Sequence, residues 1–478
     1  MTNLEDSPFD AVVIGGGVYG ILLALEGASR GQRVLLIERD DFGGGASFNH
    51  LRTIHGGLRY LQSLDLRRAI TSNHQRLWWL RNFPDLVHPI SCLMPLYNRG
   101  LRRPAAFRAA FLIARLLGLH KDGEGRSGRF EVISSNEVRA LFPYCRTDGL
   151  DRGALWQDAL MESPHRVIAE LLHWAESAGA IVRNRTELLA ATAGANGAWR
   201  LGIRNRRTDQ NAEVTARWII NATASAADDV MRKIVARPKG DILVPTIGWG
   251  LLLDRPPVSE CSVAVTPPGK GGRTYFVHPY HGRILAGTGH AGVTDGTELE
   301  SGVPEPKLRE TLADLNEAMP GIALTRDEVS HVFHGVLPGL RWGSDALLSR
   351  PRIIDHGERD GAPGAFTVLG VKFTEAPFVA QTLWTRLLGS GPAEMPRRPS
   401  PISVPSIRQA RAMSDEQLAT VLRGIAEVEW HASASDLAWR RTDLWMDRIQ
   451  ARRVADLAGP AGARGSVSES VPRDERLD

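Results

Sequence analysis

Gly15-Gly16-Gly17-Val18-Tyr19-Gly20 follows directly on the apolar run Ala11-Val12-Val13-Ile14, and this junction is the first place where the chain is equipped for chemistry. Ile21 to Arg30 carries Leu22, Leu23 and Leu25 on an apolar face and predicts a helix. Val34-Leu35-Leu36-Ile37 predicts a second strand, closed by Glu38. In such a strand, glycine turn, helix, strand unit each part has a role. Gly15 makes the tight turn, Gly17 lets the backbone approach a pyrophosphate, and Gly20 lets the helix pack closely on the strand. The free amides at the start of the helix face phosphate. Glu38, 18 positions beyond Gly20, can accept hydrogen bonds from ribose hydroxyls. Arg39 beside it would suit a 2′-phosphate, but a carboxylate at the strand end opposes one. The unit predicts dinucleotide binding, with Ser47 near the pyrophosphate.

Two later segments point to FAD rather than NAD. Trp218-Ile219-Ile220-Asn221-Ala222-Thr223-Ala224 is an apolar strand ending in small residues, suited to a return of the chain to the cofactor at Ala222. Phe366-Thr367-Val368-Leu369-Gly370 predicts another strand, running into Lys372-Phe373-Thr374. The helix expected next has Val379, Leu383 and Leu387 on one face, with Pro377 in its first turn. A helix N-terminus there would stabilise negative charge on the N1/C2 carbonyl edge of reduced flavin. Gly370, Lys372, Phe373 and Thr374 are therefore assigned to the cofactor, together with Gly57.

The elements that must position these groups give an α/β fold. It is a Rossmann-like FAD-binding domain with an inserted antiparallel-sheet substrate domain of α+β character and a C-terminal helical domain. Tyr275-Phe276-Val277 and Ile284-Leu285-Ala286, around the turn at His281-Gly282, belong to the inserted sheet. The expected boundaries are 1–75, 150–235 and 335–390 for the FAD domain and 76–149 with 236–334 for the substrate domain. A Pro- and Ser-rich linker at 391–408, helices over 409–457 and a disordered tail at 458–478 complete the chain. The 478 residues are 43% hydrophobic and 23% charged, which excludes a disordered chain, a collagen-like repeat and a small disulfide scaffold. A net charge of +4 is too small over this length to imply nucleic acid. Cys92, Cys145 and Cys261 lie far apart without metal-ligand spacing, so no metal is expected and a reduced compartment fits. No apolar signal core and no uncharged stretch of about 20 residues is present, so a cytoplasmic protein is expected, free or touching a membrane from one side.

Thr53-Ile54-His55-Gly56-Gly57-Leu58-Arg59-Tyr60-Leu61 resembles the IHGGLRYL segment of FAD-dependent glycerol-3-phosphate dehydrogenases, flavoproteins of the DAO superfamily. Further segments agree in order. Leu86 to Gly118 is similar to a family stretch of arginines, prolines and aromatics. Leu337-Pro338-Gly339-Leu340-Arg341 resembles its Gly-Leu-Arg-Pro turn, Gly370 to Thr374 its Gly-Gly-Lys-Leu-Thr, and Trp439-Arg440-Arg441-Thr442 its C-terminal Arg-Arg-Thr. The resemblance implies that Arg59, with Tyr60 beside it, Arg341 and Lys372 hold the substrate phosphate above the flavin. Two guanidinium forks and an ammonium suit that anion, and Lys372 is one of only six lysines. It also implies an electrostatic role for Arg341 on the developing alkoxide.

Where the family has Gly-Ser-His before a Val-rich strand, this chain reads Gly240-Asp241-Ile242-Leu243-Val244-Pro245, without the histidine. Candidates for a base that takes the hydroxyl proton are His278, His281 and His55. His278, between an apolar strand and Pro279-Tyr280, is placed for a sheet to present it to the flavin. The expected reaction is oxidation of a small anionic secondary alcohol, glycerol 3-phosphate first, by hydride transfer to flavin N5, with quinone or another acceptor taking the electrons. A flavin oxidase of an amine or hydroxy acid, and a catalytically silent FAD-binding partner protein, are the alternatives. Arg99 to Lys121 lacks acidic residues and interleaves arginines with Phe107, Phe111, Leu112, Ile113, Leu116 and Leu117. It is read as a peripheral contact with an anionic membrane, or as a surface buried in the protein or in a homodimer.

Overall fold

The computed structural model describes residues 7–98, 102–122, 124–194, 196–235, 237–269, 272–294, 302–391, 393–431 and 433–458. The chain divides into two compact units, one of Met1–Phe48, Ser163–Val244 and Leu348–Asp478, the other of Asn49–Glu162 and Pro245–Leu347.

The first unit is built on a sheet in the order Arg352–Asp355, Ala365–Leu369, Gln210–Asn221, Phe9–Ile14, Val34–Ile37, Ile181–Arg183. Its central neighbours are parallel, as the almost continuously apolar Phe9–Ile14, Val34–Ile37 and Ala365–Leu369 strands require of a sheet buried on both faces. Register brings the strand ends together. Ile14 lies beside both Ile37 and Asn221, and Asn221 beside Thr367. The C-terminal ends of four strands therefore share one edge, and Gly15, Glu38, Ala222 and Gly370 leave from it. The Val18–Ser29 helix packs against Pro164–Ser177 and Ala376–Leu388, where Trp384 donates its indole N–H to the Leu23 carbonyl at 2.8 Å. The C-terminal helices Ile407–Ala412, Asp415–Val428 and Arg448–Ala458 close on Leu418, Leu422, Ile425, Leu437, Leu444 and Val454.

The second unit is a nine-stranded sheet, ordered Val329–Pro338, Pro245–Leu253, Arg283–Gly292, Tyr275–Tyr280, Ser262–Val265, Val87–Leu96, Arg152–Met161, Thr53–Ile54, with Glu131–Ser134 also on Arg152–Met161. Every pairing is antiparallel except Ser262–Val265 against Val87–Leu96.

Pairing also moves the expected boundaries. Thr53 and Ile54 pair with Leu160 and Ala159, Arg152–Met161 pairs with Val87–Leu96 along ten positions, and Val329–Pro338 pairs with Pro245–Leu253. Residues 49–75, 150–162 and 335–347 thus lie in the sheet unit, and 237–244 in the first. Segments 391–408 and 409–457 join the first unit instead of standing apart. The tail expected at 458–478 lies, from 459 on, outside the described residues, as do residues 99–101. On the Pro104–Leu116 helix the expected lipid-facing surface is split. Phe107, Ala110, Phe111 and Ala114 are buried against Phe130, Trp156 and neighbours, whereas Leu112, Leu116 and Leu117 are exposed. Among the described residues no helix is long and apolar enough to cross a membrane.

Candidate active site

In the first unit the nucleotide cradle follows from close approach. Gly15 has φ +105°, and a Cβ there would stand 2.8 Å from the Ala222 carbonyl oxygen. At Gly20 a Cβ would stand 1.8 Å from the Gly15 carbonyl oxygen, so any side chain would push the helix off the turn. Gly17 has only the Ser47 hydroxyl, at 3.1 Å, in reach of such a Cβ, which leaves its face open to a ligand. The helix has no side-chain cap of its own; the Val18 amide donates to Ser47 Oγ at 2.9 Å. Glu38 accepts from the Gly16 amide at 2.7 Å and the Asp40 amide at 2.8 Å. Burial pushes its carboxyl upward against those two amides. Arg39 is exposed and pairs with Asp40 at 3.2 Å, so this side chain is directed to a surface carboxylate.

The returning strand ends on Asn221, a fully buried residue with no obvious signal in the sequence. Its side chain accepts from Thr223 N and Oγ1 and donates to the Ala227 carbonyl, setting the turn that carries Ala222. Behind the last strand, Gly370 packs so tightly on Tyr19 that a Cβ would lie 2.0 Å from its ring. Tyr19 donates to the Lys372 carbonyl at 2.7 Å, and the Lys372 amide donates to Glu375 Oε1 at 3.0 Å. Burial raises the Tyr19 hydroxyl well above its ordinary value, with the Glu375 charge adding to it. Tyr19 and Glu375 thus fix the 370–375 segment. Glu375 lies just beyond the 370–374 segment, and Tyr19 lies inside the glycine turn, so neither is marked by its own pattern in the sequence. Gly15, Gly17, Gly20, Glu38, Ser47, Ala222, Gly370, Lys372, Phe373 and Thr374 are all placed in this unit.

In the second unit His55 is exposed while its Nδ1 lies 3.0 Å from Asp158 Oδ2. Asp158 is 3% exposed and also accepts from the Gly56 amide at 2.7 Å and Trp156 Nε1 at 3.2 Å. Burial pushes its carboxyl up, but the His55 hydrogen bond and charge, the Gly56 amide and the Arg76 charge outweigh that and hold it below the usual range. With the Nδ1 proton committed to Asp158, His55 presents Nε2 as an acceptor. This is an oriented imidazole. Asp158 sits in an apolar strand with nothing in its local pattern to mark it.

The other candidate bases come out differently. His278 is 1% exposed, with Nδ1 2.6 Å from Ser262 Oγ and Nε2 2.8 Å from Thr53 Oγ1. Burial, then the His55 charge, pushes it down to about 3. Both ring nitrogens are engaged inside the sheet, which corrects the expectation that the sheet presents His278 as a base. His281 stands exposed in the hairpin turn. Gly57 has φ +87°, and a Cβ there would stand 2.7 Å from Ser72, so both the left-handed turn and its packing on the next helix require glycine. At the position of the family's missing histidine, the Ile242 and Leu243 amides donate to Asp228.

Arg59 is exposed, and the half-buried Tyr60 ring is covered by the Arg68 guanidinium at 4.2 Å. Arg102, whose Nη2 donates to Thr274 Oγ1 at 2.9 Å, is lowered by burial and by the charge of Arg59. A second guanidinium therefore stands in the neighbourhood of Arg59. Arg341 is exposed on the 339–347 turn, which is tied down by Leu340 N to Ala346 O at 2.8 Å and Gly343 N to Val293 O at 2.9 Å.

A parallel sheet with its glycine turn, helix N-terminus and the Glu38 carboxylate on one strand edge, in a chain that also carries an antiparallel-sheet unit, fits a dinucleotide-binding oxidoreductase of the flavoprotein class. The FAD-dependent oxidoreductase family model DAO matches residues 10–384, and the chain belongs to that family. A glycerol-3-phosphate dehydrogenase 1 of Mycobacterium bovis is 30% identical over 403 residues, covering 81% of this chain and 74% of its own. A glycerol-3-phosphate dehydrogenase of Synechocystis is 27% identical over 401 residues, covering 81% and 71%. Among solved structures, the fold is similar to that of the Bacillus halodurans glycerol-3-phosphate dehydrogenase complexed with FAD. The TM-score is 0.60 at 19% identity, over 96% of this chain and 77% of that one. It is also similar to an L-α-glycerophosphate oxidase of Mycoplasma pneumoniae with FAD bound, with TM-score 0.55 at 17% identity, over 84% and 99%. The protein is an FAD-dependent oxidoreductase, and the open face of Gly17, the Val18 helix start and Glu38 fit that cofactor.

Proposed function

We propose that the protein oxidises sn-glycerol 3-phosphate to dihydroxyacetone phosphate. The observation that carries this reading is the exposed His55 held by buried Asp158 within the same HGGLRY segment that supplies Arg59 and Tyr60. FAD, when bound, supplies the two-electron acceptor for the hydride that leaves C2. His55 Nε2 takes the C2 hydroxyl proton, and Asp158 stabilises the imidazolium that results. By the family resemblance, Arg59, Tyr60, Arg341 and Lys372 are the groups assigned to the phosphate. The names of the two relatives support this substrate over an amine or hydroxy acid. A quinone or another acceptor then reoxidises the protein. Exposed Leu112, Leu116 and Leu117 beside Arg108 and Arg115 support peripheral attachment to an anionic bilayer, which co-sedimentation of the protein with anionic vesicles would check.

The test is anaerobic addition of glycerol 3-phosphate to the yellow protein while following the flavin band near ~450 nm. Bleaching is expected. A band unchanged by this substrate but bleached by an amine or hydroxy acid would replace the substrate assignment while leaving the cofactor in place.

A further inference from the structure

The glycine turn does not stand alone: residues 38–43 hold it from one side. The Gly43 amide donates to the Gly16 carbonyl at 2.9 Å, and Glu38 accepts from the Gly16 amide at 2.7 Å. The Phe42 ring fits so closely that a Cβ on Gly16 would lie 2.3 Å from it. This segment is gripped in turn by the C-terminal helices of the same unit. Phe42 is fully buried and meets Trp430 edge-on at 6.5 Å. Asp41, also buried, takes Arg440 Nε on Oδ2 and Arg441 Nη2 on Oδ1, both at 2.8 Å. Burial pushes the Asp41 carboxyl up, but the two arginine charges more than reverse it. Arg440 also pairs with Asp436, and Arg441 donates to the Trp430 carbonyl. A second set of buried ions lies behind: Arg441 Nε is 3.7 Å from Glu429, Glu429 is 2.8 Å from Arg166, and Arg166 is 2.9 Å from Glu170.

Burying so many ions is costly for stability alone, since an apolar cluster of the same volume would do as well or better. What the ions achieve and an apolar cluster does not is a fixed direction for Asp41, and with it the place of Phe42, Gly43 and Glu38 against Gly16. We propose that Arg440 and Arg441 are positioning residues for FAD: through Asp41 they hold the glycine turn and Glu38 in the geometry that retains the adenosine diphosphate portion of the cofactor. Neither arginine touches the turn itself. The C-terminal Arg-Arg pair is thereby a buttress of the nucleotide site, 400 residues away in sequence from the carboxylate it grips.

The full-length protein tests this with Asp41→Asn, Arg440→Gln and Arg440→Lys. Arg440 is partly solvent-exposed, so its replacement leaves no buried cavity. Arg411→Gln, which removes an exposed ion pair to Asp447 within the same helices, is the control. FAD dissociation is followed by recovery of flavin fluorescence on dilution, and melting is measured with FAD bound and after its removal. Asp41→Asn and Arg440→Gln are expected to weaken FAD by about tenfold or more and to narrow the gap between loaded and stripped melting temperatures. Arg440→Lys should recover part of the affinity, and Arg411→Gln should keep all of it. FAD affinity within about twofold of wild type in Arg440→Gln would overturn the proposal. So would loaded and stripped forms losing stability in parallel, or Arg411→Gln loosening FAD equally.

Discussion

Replacing Asp158 by Asn alters one atom at the centre of the His55 assembly, and the contacts there set its effect. In the wild type Oδ1 accepts from the Gly56 amide, while Oδ2 accepts from Trp156 Nε1 and His55 Nδ1. An amide has one oxygen. If it faces Gly56, the NH2 meets His55 and forces Nδ1 to accept, which moves the ring proton to Nε2 and removes the base. If it faces His55 and Trp156, the NH2 meets the Gly56 donor and a buried hydrogen bond is lost, at about 1–3 kcal/mol. Either way the imidazolium loses its counter-charge. The flavin-reduction rate with glycerol 3-phosphate should fall by about 10²–10⁴, the usual span for a positioned general base. KM should move little, because Asp158 is buried and reaches no substrate group. Anaerobic stopped-flow reduction across pH measures this on FAD-loaded protein. Acid stability supplies a second reading. The folded Asp158 carboxyl is depressed, so its contribution is present above the unfolded value of about 3.9 and is lost as pH falls through the lower folded value. The variant should lack that acid-limb loss. Reduction within about threefold of wild type in Asp158→Asn would refute the dyad, whatever its melting temperature.

Arg341→Ala and Lys372→Ala should each raise the apparent KM for glycerol 3-phosphate by about tenfold or more while the flavin stays bound; steady-state kinetics with a dye acceptor would show it. Gly20→Ala should give a colourless protein, because the added methyl meets the backbone oxygen of Gly15 rather than a movable side chain. His278 is neutral in the fold down to about pH 3, so the unfolded chain binds the extra proton below about 6.5. Stability should decline as pH drops through that window by up to about 1.4 kcal/mol per unit from this group. His278→Gln should flatten the decline in thermal melts without altering the pH profile of flavin reduction.

The part of the molecule legible in sequence is the part set by local contacts. Phe9 to Glu38 forms one continuous strand, turn, helix, strand unit. Its motif is written in residues near in the chain, such as the approach of Gly20 in the helix to the Gly15 carbonyl of the turn, five positions earlier. The same locality makes HGGLRY conspicuous. The Phe107 and Phe111 pattern was legible as amphipathic, yet periodicity cannot say whether the apolar stripe meets lipid or a neighbouring sheet; here Phe130 and Trp156 take half of it.

Tertiary structure alone decided which partners each chemical group meets. Sequence marked three histidines as possible bases, and only pairing of distant strands separated them. Arg152–Met161 brings Asp158 to His55 across 103 residues, while Ser262–Val265 and Thr53 engage both nitrogens of His278. Tyr19 meets the Lys372 carbonyl across 353 residues, and Arg441 meets Asp41 across 400. Hydrogen bonds of that separation leave no periodic trace in the chain, because either partner alone is an ordinary polar residue; burial beside the other gives it a fixed proton, a fixed direction and a role.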